Sequence, residues 1–116
     1  MRVKTEIWVK AYLRRCMSEG CAGYIIASGD DQAGAVFIHI DNLDGEHWLF
    51  GPAPAGLAET NDERRWCSCF PQSPVTSAQT ASYLADQKKY DPDLWIVELE
   101  DKQGRHFLDD QLVEQI

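Results

Sequence analysis

The stretch that decides the fold is Ala35-Val36-Phe37-Ile38-His39-Ile40-Asp41-Asn42-Leu43-Asp44-Gly45-Glu46-His47-Trp48-Leu49-Phe50. Two β-rich runs flank an Asp-Gly pair, the strongest short-range signal for a hairpin, because a type I′ turn needs φ > 0 at both central residues. With Asp44-Gly45 as a two-residue loop, Leu43 faces Glu46, Asn42 faces His47, Ile40 faces Leu49 and His39 faces Phe50. Alternation then puts Val36, Ile38, Ile40 and Leu49 on one side of the sheet and Phe37, His39, Trp48 and Phe50 on the other. Both sides are apolar, so both are expected to be covered, one by each of two helices. In this register His39 and His47 point to opposite faces and cannot share a metal ion. His39 is then read as a packed histidine with one hydrogen-bond partner.

Upstream, Trp8, Val9, Tyr12, Leu13 and Cys16 form an apolar stripe at i, i+3/i+4 spacing, which predicts a helix over 5–18. Thr5 is a candidate cap, and Gly20 follows the end. Tyr24-Ile25-Ile26-Ala27 reads as a short strand, joined to the hairpin by the turn-rich 29–34. Downstream, Gly51-Pro52-Ala53-Pro54-Ala55-Gly56 opens a surface loop running to Asp62. Residues 64–70 read as a fourth strand stopped by Pro71 and Pro74. Thr76 to Tyr90 is the second helix, with Tyr83, Leu84, Gln87 and Tyr90 along one side, and Asp91-Pro92-Asp93 stops it. Leu94 to Glu100 is a fifth strand, followed by a turn at 102–105 and a short tail. The order α-β-β-β-β-α-β fits a single α+β domain over 1–116. Its one largely antiparallel sheet has about five strands, the first three as a meander, and the last strand is free to pair in either direction.

Length and composition agree with one globular domain. The chain has 116 residues, 44% hydrophobic and 26% charged. Folding at this size removes about two-thirds of the open chain's surface from water. No apolar run approaches the roughly 20 residues of a membrane span, and the N-terminus lacks a signal peptide's apolar stretch. A cytoplasmic protein is expected, with Cys16, Cys21, Cys67 and Cys69 as free thiols. Cys67-Ser68-Cys69 in a strand points both sulfurs to one face with Cα atoms roughly 6.5–7 Å apart, too far for a relaxed disulfide. Packing rather than metal binding is expected of all four, and no cofactor is called for.

The formal net charge is −8, which disfavours nucleic acid as a partner. Residues 1–20 carry five cations against two anions, whereas the stretch from Asp91 carries two against eight. The simplest reading packs the basic first segment near the acidic last one. Lys10, Arg14 and Arg15 do not make one tight stripe on the first helix, because Arg15 lies about 100° around the wheel from Arg14.

Several strings resemble a known family. They are Glu6-Ile7-Trp8-Val9-Lys10-Ala11-Tyr12-Leu13-Arg14-Arg15, Ala33-Gly34-Ala35-Val36, Leu43-Asp44-Gly45, Gly51-Pro52-Ala53-Pro54, Arg64-Arg65-Trp66, and Tyr90 to Asp101 followed by Gly104-Arg105. The resemblance is to an alphaproteobacterial family, domain of unknown function 1491. It implies a bacterial, cytoplasmic protein, and it carries no activity or catalytic residue with it. Cys67 and Cys69 lie outside its pattern.

Two functions compete. The first is a non-catalytic binding or adaptor domain for an unidentified protein or small molecule. Its candidate contacts are Arg14, Arg64, Arg65, Trp66, Asp91 and Asp93, with Trp95 beside them, because arginines beside aromatics dominate binding hot spots. The alternative is a small metal-assisted hydrolase using Asp91, Asp93, Glu98, Glu100 and Asp101 as oxygen ligands. No phosphate loop, nucleophile elbow or paired-histidine helix is present in the sequence. Each candidate also has a structural reading: arginines paired with Glu63 or the acidic C-terminal segment, Trp95 in the core, and the acids as a solvated strand face.

Overall fold

The computed structural model of the chain describes residues 3–54 and 64–113. The loop expected over 55–62, the proposed partner Glu63 and the last three residues lie outside it. Two helices, α1 (Thr5–Ser18) and α2 (Ser77–Tyr90), pack on a five-stranded sheet. Its strands are β1 (Ala22–Ala27), β2 (Val36–Asp41), β3 (His47–Pro52), β4 (Trp66–Ser68) and β5 (Trp95–Glu100). A single 3₁₀ turn at Asp109–Gln111 follows.

The expected α+β class and element order are observed, with one change of neighbours. β5 lies between β1 and β2, giving the order β1-β5-β2-β3-β4, so the first three strands are not a meander. β5 pairs antiparallel with β1 and parallel with β2, and the remaining pairs are antiparallel. The reason lies in what β5 buries. Trp95, Val97 and Leu99 face one side, Leu94 and Ile96 the other, and all five are buried. A strand apolar on both faces belongs in the middle of a sheet. β1, with Tyr24, Ile25 and Ile26 exposed, takes the edge.

The hairpin register also differs from expectation. Asp41 pairs with His47, Ile40 with Trp48, His39 with Leu49 and Ile38 with Phe50. The loop has three residues rather than two. The backbone N–H of Asn42 donates to the Glu46 carbonyl at 3.2 Å. The side-chain oxygen of Asn42 accepts from the N–H groups of Asp44 and Glu46 at 2.9 and 3.1 Å. Leu43 and Gly45, not Asp44 and Gly45, take positive φ, at 63° and 84°. A buried asparagine thus replaces the backbone pairing that a type I′ turn would make. One residue of slip exchanges the faces of every residue on β3. Val36, Ile38, Ile40, Trp48 and Phe50 share α1's face, and Phe37, His39, His47 and Leu49 share α2's.

Each helix covers one face, as the apolar pattern requires. On α1's side Val9, Tyr12, Leu13 and Cys16 pack with Val36, Ile38, Ile40, Val97, Leu99 and Trp66. The Trp8 ring stacks on Trp66 at 4.4 Å and on Tyr12 at 4.9 Å. Thr5 does not cap this helix. It lies inside the first turn, fully buried, and its hydroxyl donates to the Gln32 carbonyl at 3.2 Å. On α2's side Tyr83 and Leu84 pack with Phe37, Leu49, Leu94 and Ile96. α2 begins with a capping box between Thr76 and Gln79. Tyr90, expected on the packed side, is 87% exposed.

Candidate functional site

The six candidate contact residues do not converge. Arg14 is exposed on the outer side of α1, while Asp91 and Asp93 follow α2 across the sheet. Arg64 is buried, donating to the Val3 carbonyl at 2.9 Å and to the Thr5 hydroxyl at 2.8 Å, so it ties the approach to β4 to the start of α1. Arg65 is half-buried, and its carbonyl accepts from Ala53 N–H at 2.9 Å. Trp66 is 2% exposed, and its indole donates to the Val36 carbonyl at 3.0 Å. Trp95 is also buried and donates to the Asp30 carbonyl at 2.8 Å. The basic first segment does reach the acidic last one: Arg15 meets Asp109 at 2.8 Å, and the Tyr12 hydroxyl donates to the His106 carbonyl at 2.6 Å.

The acids of the hydrolase alternative are likewise separated by their bonds. Asp101 accepts from Arg105 Nε at 2.9 Å and from the Arg105 backbone N–H at 2.8 Å, and these bonds hold its carboxyl down at about 2. Glu100 accepts from the Tyr24 hydroxyl at 3.1 Å. Asp91 accepts from Asp93 N–H at 3.1 Å. Among the described residues no three His, Cys, Asp or Glu side chains are grouped to hold a metal ion.

The corrected register brings together two residues that the sequence reading kept apart. His39 and His47 share a face, with His39 Nε2 2.9 Å from His47 Nδ1. His39 Nδ1 lies 3.0 Å from Glu98 Oε1 on the neighbouring strand. Burial lowers the His39 pKa, against the opposing pull of Glu98. A neutral His39 donates through Nδ1 to Glu98, so its Nε2 accepts from His47 Nδ1–H. The row Glu98–His39–His47 is therefore a satisfied chain of hydrogen bonds across three strands. His39 has two partners rather than one.

At the opposite end of α2's face from this row lies a cavity of about 460 Å³. Ala35 and Phe37 line it from β2 and its approach, Gly51, Pro52 and Pro54 from β3 and beyond, and Cys67, Ser68 and Cys69 from β4 and its exit. Tyr83 and Gln87 descend from α2, one turn apart, and Asp91 closes the helix end. Gly51 is required by the space: a Cβ there would lie 2.7 Å from the Phe37 ring and 3.1 Å from Cys69 Sγ. Cys67 and Cys69 do point to one face, as alternation predicts. Burial pushes the Cys69 thiol up to about 11 and the Tyr83 hydroxyl up to about 12, so both stay protonated at neutral pH. A protonated thiol is a poor nucleophile. The cavity is thus a neutral, partly aromatic hollow with one carboxylate at its rim.

Of the cavity residues, sequence reasoning had named Asp91 as a contact. Tyr83 and Gln87 were recognised only as one side of a helix, and their i, i+4 spacing was the available signal. Parts of three of the strings quoted above, those containing Ala35, Gly51-Pro52-Ala53-Pro54 and Asp91, meet at this cavity.

Comparison with known proteins agrees with the architecture. The profile of DUF1491, described as a protein of unknown function, matches residues 3–109. The chain belongs to the DUF1491 family. A DUF1491 protein of Caulobacter crescentus, known from a crystal structure, is similar at 32% identity with a TM-score of 0.80, covering 97% of this chain and 99% of that one. An A. tumefaciens protein solved in solution is 32% identical with a TM-score of 0.80, covering 100% of this chain and 98% of its own. No curated protein matches. The DUF1491 assignment therefore brings a fold and no stated activity.

Proposed function

We propose that this DUF1491 chain is a non-catalytic binding domain whose ligand site is the cavity between α2 and the β3–β4 edge. One observation carries the reading. The hollow falls within the 300–1,000 Å³ range of small-molecule sites, and fixed strand and helix residues line it. Its thiol and phenol groups at Cys69 and Tyr83 are held in their unreactive protonated forms. Asp91, among the contact residues inferred from sequence, belongs to this site; Asp93 supports it through the Asp91 carboxylate. Arg14 and Arg65 would serve a larger partner docking elsewhere. A bacterial, cytoplasmic setting belongs to the same proposal, supported by the two alphaproteobacterial relatives and by four free thiols suited to a reducing compartment.

A thermal-shift screen of the full chain against small organic fragments tests this. A native-state ligand raises stability by RT ln(1 + [L]/Kd). Gly51→Ala, which forces Phe37 and Cys69 to move, is expected to abolish the shift for true cavity ligands, and its own ligand-free melt checks that the fold absorbs the crowding. Hits insensitive to Gly51→Ala would move the site elsewhere. A large Mg²⁺, Mn²⁺ or Zn²⁺ shift abolished by Asp93→Asn or Glu98→Gln would favour the hydrolase instead.

A further inference from the structure

We infer that the cavity selects a small organic amine: a primary ammonium carried on a flat apolar body. This rests on the cavity being the ligand site. Its walls offer the apolar surface of Ala35, Phe37, Pro52 and Pro54. The Phe37 and Tyr83 rings, 6.4 Å apart and tilted by 60°, both border the hollow, and an aromatic ring attracts a cation placed over its face. Among the described lining residues none is a lysine or arginine, and Asp91 is the acid.

Position strengthens that charge. Asp91 is the C-cap of α2, and its N–H donates to the Gln87 carbonyl at 3.0 Å. The carboxylate therefore sits at the negative end of a 14-residue helix, where cations are favoured. Lys88 and Lys89 in the last turn are exposed, and Lys89 reaches towards Asp86 at 3.8 Å, outside the lining. A primary ammonium has three donors to satisfy. Asp91 offers a carboxylate and Gln87 an amide oxygen at the same site. An anionic ligand meets the opposite situation: among the described lining residues a carboxylate at the rim and no cation, on a chain of net charge −8.

The test uses three probes that share a phenylethyl body, on the full chain: 2-phenylethylamine, 2-phenylethanol and 3-phenylpropionate. Amide resonances of Ala35, Gly51, Ser68, Tyr83 and Gln87 report binding in ¹H–¹⁵N spectra. The amine is expected to shift them and to bind roughly ten- to a hundredfold more tightly than the alcohol, the range of one charge-assisted hydrogen bond. The propionate is expected to be weakest. Asp91→Asn should erase the preference for the amine. Asp86→Asn, which removes the same charge from the exposed side of α2, should keep it. If the alcohol or propionate moves the same resonances as strongly, selection for the ammonium is overturned while the ligand site stands. If no probe moves them at millimolar concentration, both readings fall. Equal losses in the two variants would reduce the effect to net charge and also overturn the inference.

Discussion

The two faces of the sheet are built to different standards. α1's face is closed: four buried apolar side chains of one helix share a core with eight buried strand residues, and Trp8 lies against Trp66 to seal the rim. α2's face is divided. A small apolar cluster under Tyr83 and Leu84 is flanked by a polar row, Glu98–His39–His47, and by the cavity. Among α2's residues only Thr80 is buried, against five on α1. The first face carries stability, and the second leaves polar groups and open volume at which a ligand can be recognised.

That contrast breaks most directly at Trp66. Trp66→Ala removes the largest fully buried side chain, its stack on Trp8 and its bond to the Val36 carbonyl, and should cost about 3–5 kcal/mol in denaturant unfolding. Next comes a matched pair. Leu13→Ala on α1 should cost about 2–5 kcal/mol, and Leu84→Ala, half-buried on α2, roughly half as much, measured by the same midpoints. Equal losses would show that α2's face contributes as much to stability as α1's.

The polar row adds a pH dependence. Burial lowers the pKa values of His39 and His106 below their ordinary 6.5, so below that pH the unfolded chain binds more protons than the native one. Their contribution is fully present above about pH 6.5 and is lost as pH falls through the lowered values. Thermal melts should therefore weaken on acidification, by at most about 1.4 kcal/mol per pH unit for each histidine. His39→Gln should flatten part of that slope. Asp101 adds a separate acid limb, with stability present above its ordinary 3.8 and lost as pH falls towards about 2. A slope unchanged by His39→Gln would remove His39 from this account.

The smallest effect belongs to the loop that sets the contrast. Leu43 is exposed at φ 63°, a conformation costly for a residue with a Cβ. Leu43→Gly should raise stability by up to about 1 kcal/mol, the relief of strain offset by the freer unfolded chain. The His39–His47 pairing should persist in its NMR contacts. Its loss would mean that the side chain of Leu43 helps hold the register.

Much of the fold was legible because it is local. The α1 stripe placed that helix at its observed bounds, and Thr76 with Gln79 caps α2 where Asp91-Pro92 ends it. The candidate site was less legible. Asp91 was visible, but Arg64 and Trp66 looked like surface recognition residues although both are internal, because their burial depends on Val3, Thr5, Val36 and Trp8, distant in the chain. Cys69, Tyr83 and Gln87 carry no linear motif and become a site only when α2 lies over β4.

Periodicity and capping, which act over three or four residues, determined from the sequence alone which segments are helix and which are strand, and that both sheet faces would be covered. Only the tertiary structure decided strand order and register. β5 moved inside the sheet, between β1 and β2, because it buries apolar side chains on both faces, as the exposed β1 does not. The hairpin slipped by one residue because Asn42 bonds two backbone amides and admits a third loop residue. With a side-chain period of two, that residue is enough to put two histidines on one face.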